Sequence, residues 1–353
     1  MKRRLSILLF IVFQQAGAAL YATETPNRIV EEGFVHINGI EQWISIKGDS
    51  TKPVILFLHG GPGSPISPYA DAIFSNWEKD FVLVQWDQRG SGRTYGRNAP
   101  EELSPEFLKT HALSIEQMTD DGIDLANYLL NRLTRKKIIL IGTSWGTVLG
   151  VNMVMKNPEL FYAYIGHAQM VNPSEALLLG YDRATELARQ ANDHNTLETL
   201  KVLGKPPYES ARSFGQLMRI TKKAQRQNTM APPEDWSVPA SGFNSEKEIQ
   251  HRSDGDDFSF VQFAGDKKLG ISPLYTKINY LNKSANFKLP VYLVQGEQDL
   301  QTPHVLTKSF FDQLKAPVKD YFLLPKTEHE FNQLAIDTQL DILKRLILPL
   351  TLE

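Results

Sequence analysis

Four short apolar runs recur along the chain, and each spills into a loop rich in glycine and polar residues: Val54–Leu58, Phe81–Val84, Ile138–Ile141 and Val291–Val294. None alternates apolar with polar positions, so they predict strands covered by other structure on both faces. Tyr321–Leu324 predicts a last strand. Upstream, Phe34–Ile37 and Ile40–Ile46 flank Asn38-Gly39, which predicts a hairpin closed by a two-residue turn. Between the runs the period changes. Ser114 and Gln117 have capping-box spacing, and Ile115, Met118, Ala126, Leu129 and Leu133 follow at helical intervals. Trp145–Lys156 predicts a buried helix stopped near Asn157-Pro158, and Glu330–Leu348 an amphipathic C-terminal helix ended by Pro349. Strands alternating with helices predict an α/β fold with a mostly parallel, doubly wound sheet.

From Val171 to Asn286 this rhythm fails. The segment is polar and helical in character, broken at Lys205-Pro206-Pro207, at Ala231-Pro232-Pro233 and at Asp254-Gly255-Asp256-Asp257. It is too long for a simple connection. The expected organisation is therefore a core over residues 31–167, an inserted, mainly helical cap over 168–286, and the rest of the core over 287–353. Such a cap would rest over the carboxyl ends of the strands, where open α/β sheets place their ligands.

The first residues have a different composition. Met1-Lys2-Arg3-Arg4 is basic, Leu5–Phe13 is apolar, and small residues follow from Ala16 to Ala22. That order predicts a secretory signal peptide over residues 1–22, cut after Ala18 or Ala22, and hence an exported protein, periplasmic or secreted. The apolar run falls short of the roughly 20 residues that span a bilayer, so no stable membrane span is expected after cleavage. With no cysteine, disulfides, thiol catalysis and lipid attachment through cysteine are excluded. A formal net charge of −2 gives no reason to expect a nucleic-acid partner. No H-E-x-x-H or clustered ligand set appears, so no metal or organic cofactor is expected. The oligomeric state is left open.

The chemistry concentrates after the predicted strands. Gly142-Thr143-Ser144-Trp145-Gly146 has the G-x-S-x-G form between a strand and a helix, the setting of a nucleophile elbow. Glycines two residues either side of Ser144 remove side chains that would collide in so sharp a turn. His59-Gly60-Gly61-Pro62-Gly63 follows the first core strand, where a glycine backbone can approach a developing oxyanion. Gly61 and the N–H of Trp145 are the expected donors. His59 is expected to be structural, because the base of such a site comes last in the chain. After Ser144 stand His167, His194, His251, His304 and His329, of which only His329 lies between the last predicted strand and the C-terminal helix. The acid falls in Gly296-Glu297-Gln298-Asp299, as Asp299 or Glu297.

Together His59–Gly63, Asp87-Gln88-Arg89-Gly90-Ser91-Gly92-Arg93, Gly142–Gly146, Gly296–Asp299 and the His329 region resemble the proline iminopeptidase branch of the α/β-hydrolases, over roughly residues 34–165 and 287–348. The resemblance implies Ser144, Asp299 and His329 as catalytic residues, Asp87–Arg93 as a loop bracing the site, and an aminopeptidase acting on short peptides through an acyl-enzyme. It also implies cap carboxylates holding the substrate's free amino group; Glu175, Asp182, Glu186 and Glu209 are available there, with no binding residue assigned. The alternatives are a carboxylesterase or amide hydrolase on small molecules, or a non-catalytic binding protein on the same fold. Epoxide hydrolase and dehalogenase relatives carry aspartate where this chain has Ser144.

Overall fold

In the computed structural model, which describes residues 27–281 and 285–352, the apolar runs lie side by side in one sheet of eight strands. The leader read at residues 1–22 lies outside the described residues. The strands are β1 (Arg28–Ile37), β2 (Ile40–Asp49), β3 (Val54–Leu58), β4 (Val82–Trp86), β5 (Ile138–Thr143), β6 (Phe161–His167), β7 (Val291–Gly296) and β8 (Lys319–Leu324), in the order β1-β2-β4-β3-β5-β6-β7-β8. β1 and β2 pair antiparallel, as do β2 and β4; every later pair is parallel. Asn38 and Gly39 close the hairpin at φ 45° and 84°, the positive values that a two-residue turn of this hand demands.

Eleven α-helices accompany the sheet among the described residues: α1 (Ala70–Phe74), α2 (Gly92–Asn98), α3 (Pro105–Thr110), α4 (Ile115–Arg132), α5 (Trp145–Lys156), α6 (Pro173–Gln190), α7 (His194–Leu203), α8 (Ala211–Gln225), α9 (Glu246–Ala264), α10 (His304–Gln313) and α11 (Gln333–Ile342). The inner strands β3 to β7 are buried on both faces, whereas the edge strands β1 and β8 are partly exposed. Leu56 and Leu140 join Leu125 and Leu129 of α4 and Val148 of α5 on one side, whereas Ile55 and Ile141 join Phe74, Trp77 and Ile336 on the other. This two-sided cover explains why those runs lack polar alternation.

Three details differ from expectation. First, β6 is a strand the apolar pattern did not mark; its Tyr162, Gly166 and His167 break the aliphatic run, and it begins just past Pro158. Second, α9 runs straight through Asp254-Gly255-Asp256-Asp257. Gly255 is there for close packing, since a Cβ on it would stand 3.1 Å from Tyr95 Cβ and 3.2 Å from the Gly90 carbonyl. Third, the C-terminal helix starts at Gln333, because Asn332 caps it by accepting the Ala335 N–H at 3.0 Å. Glu330 and Phe331 stay in the loop, and Pro349 sits inside a final 3₁₀ turn, Leu348–Thr351.

Candidate active site

The carboxyl ends of β3, β5, β7 and β8 bring the sequence-predicted residues together. Ser144 holds φ 51° and ψ −119° between β5 and α5, a conformation costing about 1–3 kcal/mol that the surrounding packing must hold in place. The glycines make that packing. A Cβ on Gly142 would stand 2.7 Å from the Gly146 carbonyl oxygen, and one on Gly146 only 2.0 Å from the carbonyl oxygen of Leu58. The start of α5 therefore lies directly on the end of β3. Ser144 N–H donates to the carbonyl of His167, so the unanticipated β6 holds the backbone of Ser144 (3.0 Å).

His329 Nε2 is 2.9 Å from Ser144 Oγ, and His329 Nδ1 is 2.9 Å from Asp299 Oδ2. Asp299 and His329 are buried. The carboxylate also accepts Gln295 Nε2 (3.0 Å), Thr302 Oγ1 (2.6 Å) and the N–H groups of Gln301 and Thr302 (both 2.8 Å). Burial alone would raise the Asp299 carboxyl, but the facing His329 and these donors hold it below the usual range. Burial alone would lower His329, yet the charge and hydrogen bond of Asp299 leave it above an ordinary histidine. With Nδ1–H donated to Asp299, Nε2 is free to accept a proton from Ser144 Oγ. Glu297, the rival acid, is exposed and among the described residues accepts only from Gln298 Nε2 (3.0 Å). Gly296 lets the His329 loop lie on the Asp299 loop, since a Cβ there would meet the Glu328 carbonyl oxygen at 2.4 Å.

Gly60 packs so closely that a Cβ on it would stand 3.2 Å from Ser144 Cβ, so the loop carrying Gly61 borders Ser144. Trp145 is the first residue of α5, whose leading N–H groups lack intrahelical acceptors. Gln88 joins these two places. Its Nε2 donates to the His59 carbonyl (3.0 Å) and its Oε1 accepts from the Trp145 indole (3.2 Å). His59 is buried within the loop, with Nδ1 on the Gly60 carbonyl (2.8 Å) and Nε2 accepting Gln88 N–H (3.1 Å). Burial pushes its pKa down to about 4, so it is a neutral strut. Asp87 accepts from Ser67 Oγ (2.5 Å) and Arg93 N–H (2.8 Å), and Arg89 grips the buried Asp121 (2.7 Å). His304 heads α10 and lends its carbonyl to Tyr321 (3.3 Å).

Thr143, Ser144 and His329 open into a cavity of about 820 Å³. Leu177, Phe214, Met218, Phe260 and Trp236, all between β6 and β7, form much of its lining. The cap acids available from sequence are elsewhere: Asp182, Glu186 and Glu209 pair with Lys205, Arg183 and Lys267, and Glu175 stands in the first turn of α6. The carboxylates lining the cavity are instead Asp256, Asp257 and Glu330. Asp256 and Asp257 lay in the run read as a helix break. Once that run is helical, Asp256, Phe260 and Phe263 fall on one face. Helix α8 reaches the residues next to His329 and Asp299: Gln225 Nε2 donates to the Glu328 carboxylate, and Gln225 Oε1 accepts the Leu300 N–H (3.1 Å). Neighbouring Arg226 pairs with Glu328 (3.2 Å) and Lys222 with Glu330 (3.2 Å).

Comparison with known proteins agrees with the fold. The model of the family described as "alpha/beta hydrolase fold" matches residues 53–333. A Bacillus subtilis protein named "Probable aminopeptidase YbaC" is 26% identical over 294 residues, 83% of this chain and 88% of the relative. The proline iminopeptidase of Neisseria gonorrhoeae is 29% identical over 129 residues, 36% of each chain. Among solved structures, a proline iminopeptidase-related protein from Thermus thermophilus superposes with a TM-score of 0.59 at 18% identity, over 91% of this chain and 99% of that one.

Proposed function

Because the chain belongs to the α/β-hydrolase fold family, a family of hydrolytic enzymes, we propose that it releases N-terminal residues from short peptides by a serine acyl-enzyme mechanism. The observation that carries this reading is the unbroken chain Ser144 Oγ–His329–Asp299, with both links at 2.9 Å. Ser144 Oγ attacks the carbonyl of the first residue while His329 Nε2 takes its proton, and Asp299 steadies the imidazolium so formed. The N–H groups of Gly61 and Trp145 receive the oxyanion. The tetrahedral centre collapses as His329 returns the proton to the leaving amine. Water, activated by the same histidine, then releases the acyl group. Asp256 and Asp257, on the cavity wall, are the carboxylates suited to the substrate's ammonium group. The largely apolar lining supports a second reading, a carboxylesterase on small substrates.

The test compares proline- and alanine-arylamides, their N-blocked forms and short aryl esters, using wild type and Ser144→Ala. Cleavage of the free-amine arylamides alone is expected. Cleavage of esters alone would favour the second reading, and a folded protein whose Ser144 takes no fluorophosphonate label would refute both. The reading of residues 1–22 as a cleaved leader adds that the enzyme acts in the periplasm or outside the cell. Recovery of the chain from the cytoplasm with the leader intact would refute that part.

A further inference from the structure

Helix α8 carries four cations, Arg212, Arg219, Lys222 and Lys223, and no carboxylate. Lys223 pairs with Asp193 (3.4 Å). The other three recur at helical spacing with Gly215 and Met218, and this face forms part of the cavity wall rather than the outer surface alone. Lys222 is offset by Glu330. Arg212 and Arg219 have no ion-pair partner among the described residues. The Arg219 guanidinium lies alongside Gly215, where a Cβ would stand 3.5 Å from one of its nitrogens, and the Phe260 ring packs more tightly there, at 3.3 Å. Helix α9, in the same lining, carries Asp256 and Asp257. The cavity around Ser144 thus has one cationic and one anionic helix in its wall.

We propose that Arg212 and Arg219 bind a carboxylate of the substrate, so that the enzyme selects short peptides bearing a negative charge beyond the scissile bond. This rests on the aminopeptidase reading and names its substrate class. Arg212 and Arg219 line the same cavity as Ser144 and His329. Arg219 stands three residues from Lys222, which pairs with Glu330 next to His329, and Arg212 lies a further seven residues along the helix. A guanidinium fork with no ion-pair partner among the described residues matches a carboxylate in two parallel hydrogen bonds.

The experiment measures kcat/KM for Ala-Ala, its C-terminal amide Ala-Ala-NH2, and Ala-Glu-NH2, with wild type and Arg212→Gln/Arg219→Gln. Wild type is expected to prefer Ala-Ala over its amide by about tenfold or more, the scale of a charge-assisted hydrogen-bond pair. The double variant should bring that ratio near one, chiefly through KM, while circular dichroism and thermal melting show it folded. Ala-Glu-NH2 cleaved like Ala-Ala would identify an acidic side chain as a sufficient source; cleaved like Ala-Ala-NH2, it would identify the terminal carboxylate. Equal rates for Ala-Ala and Ala-Ala-NH2 in wild type, or a preference that survives the double substitution, would overturn the proposal. Failure of the aminopeptidase reading would show differently, as no cleavage of any free-amine substrate.

Discussion

Replacing Asp299 by Asn exchanges one acceptor oxygen for a donor, and the surrounding hydrogen bonds decide which. If the new NH2 took the Oδ1 side it would face the N–H groups of Gln301 and Thr302, both 2.8 Å away and unable to turn. Orphaning two buried backbone donors costs about 1–3 kcal/mol each. On the Oδ2 side it meets Gln295 Nε2, Thr302 Oγ1 and His329 Nδ1. Gln295 keeps a second acceptor in the Thr302 carbonyl (2.9 Å), the threonine hydroxyl can rotate, and His329 can move its proton. The Asn amide therefore settles with its NH2 toward His329, which must then accept at Nδ1 and carry its proton on Nε2. A protonated Nε2 cannot take the proton of Ser144. The expected loss is about 10⁴-fold in kcat, or ~5.5 kcal/mol, with the backbone donors sustaining the remainder. Turnover of an aryl ester and the rate of fluorophosphonate labelling measure it. A variant within tenfold of wild type, or a comparable collapse in Glu297→Gln, would refute the assignment.

Other expectations follow from the same packing. Asp299 raises the pKa of His329, which works only when neutral, so kcat/KM on an ester lacking an amino group should rise with pH through a midpoint above 6.5; His59 and His167, each pushed down to about 4 by burial, stay neutral there, and a midpoint below 6 would contradict the pairing. Gln225→Ala removes a donor to Glu328 and leaves the Leu300 N–H without its acceptor; a loss of about 1–3 kcal/mol in denaturant unfolding, with lower kcat, is expected. Gly146→Ala puts a Cβ 2.0 Å from the Leu58 carbonyl oxygen and should abolish soluble expression, whereas Gly33→Ala, with nothing within 4 Å, should be neutral. Arg89→Ala strands the buried Asp121 carboxylate and should cost about 3–5 kcal/mol in the same unfolding assay.

The sheet and the serine–histidine–acid order were legible because they are local. A run such as Val54–Leu58 declares a doubly covered strand by itself, and G-x-S-x-G by its setting between strand and helix. Asn38-Gly39 likewise specifies its own turn. What stayed hidden depends on partners distant in sequence. Phe161–His167 is a strand because β5 and β7 flank it, and its tyrosines and glycine give no aliphatic signal. Gly255 broke the helical pattern although it is a contact with α2. The five hydrogen bonds to Asp299 were invisible except for the short spacing from Asp299 to Thr302, whose hydroxyl and N–H both return to the carboxylate. The cap acids could not be assigned from sequence because composition says which carboxylates exist, and only helix phase says which of them face inward.

Gln88 lends itself to a designer's view of the molecule. Its fully buried amide spans the Gly60-Gly61 loop and the first residue of α5, like the crossbar of a calliper. The gap between the two proposed oxyanion donors is thus bridged by a third residue, through the His59 carbonyl on one side and the Trp145 indole on the other. An engineer seeking room for a bulkier acyl group has a dial at position 88, separate from the donors, which are main-chain atoms and admit no replacement.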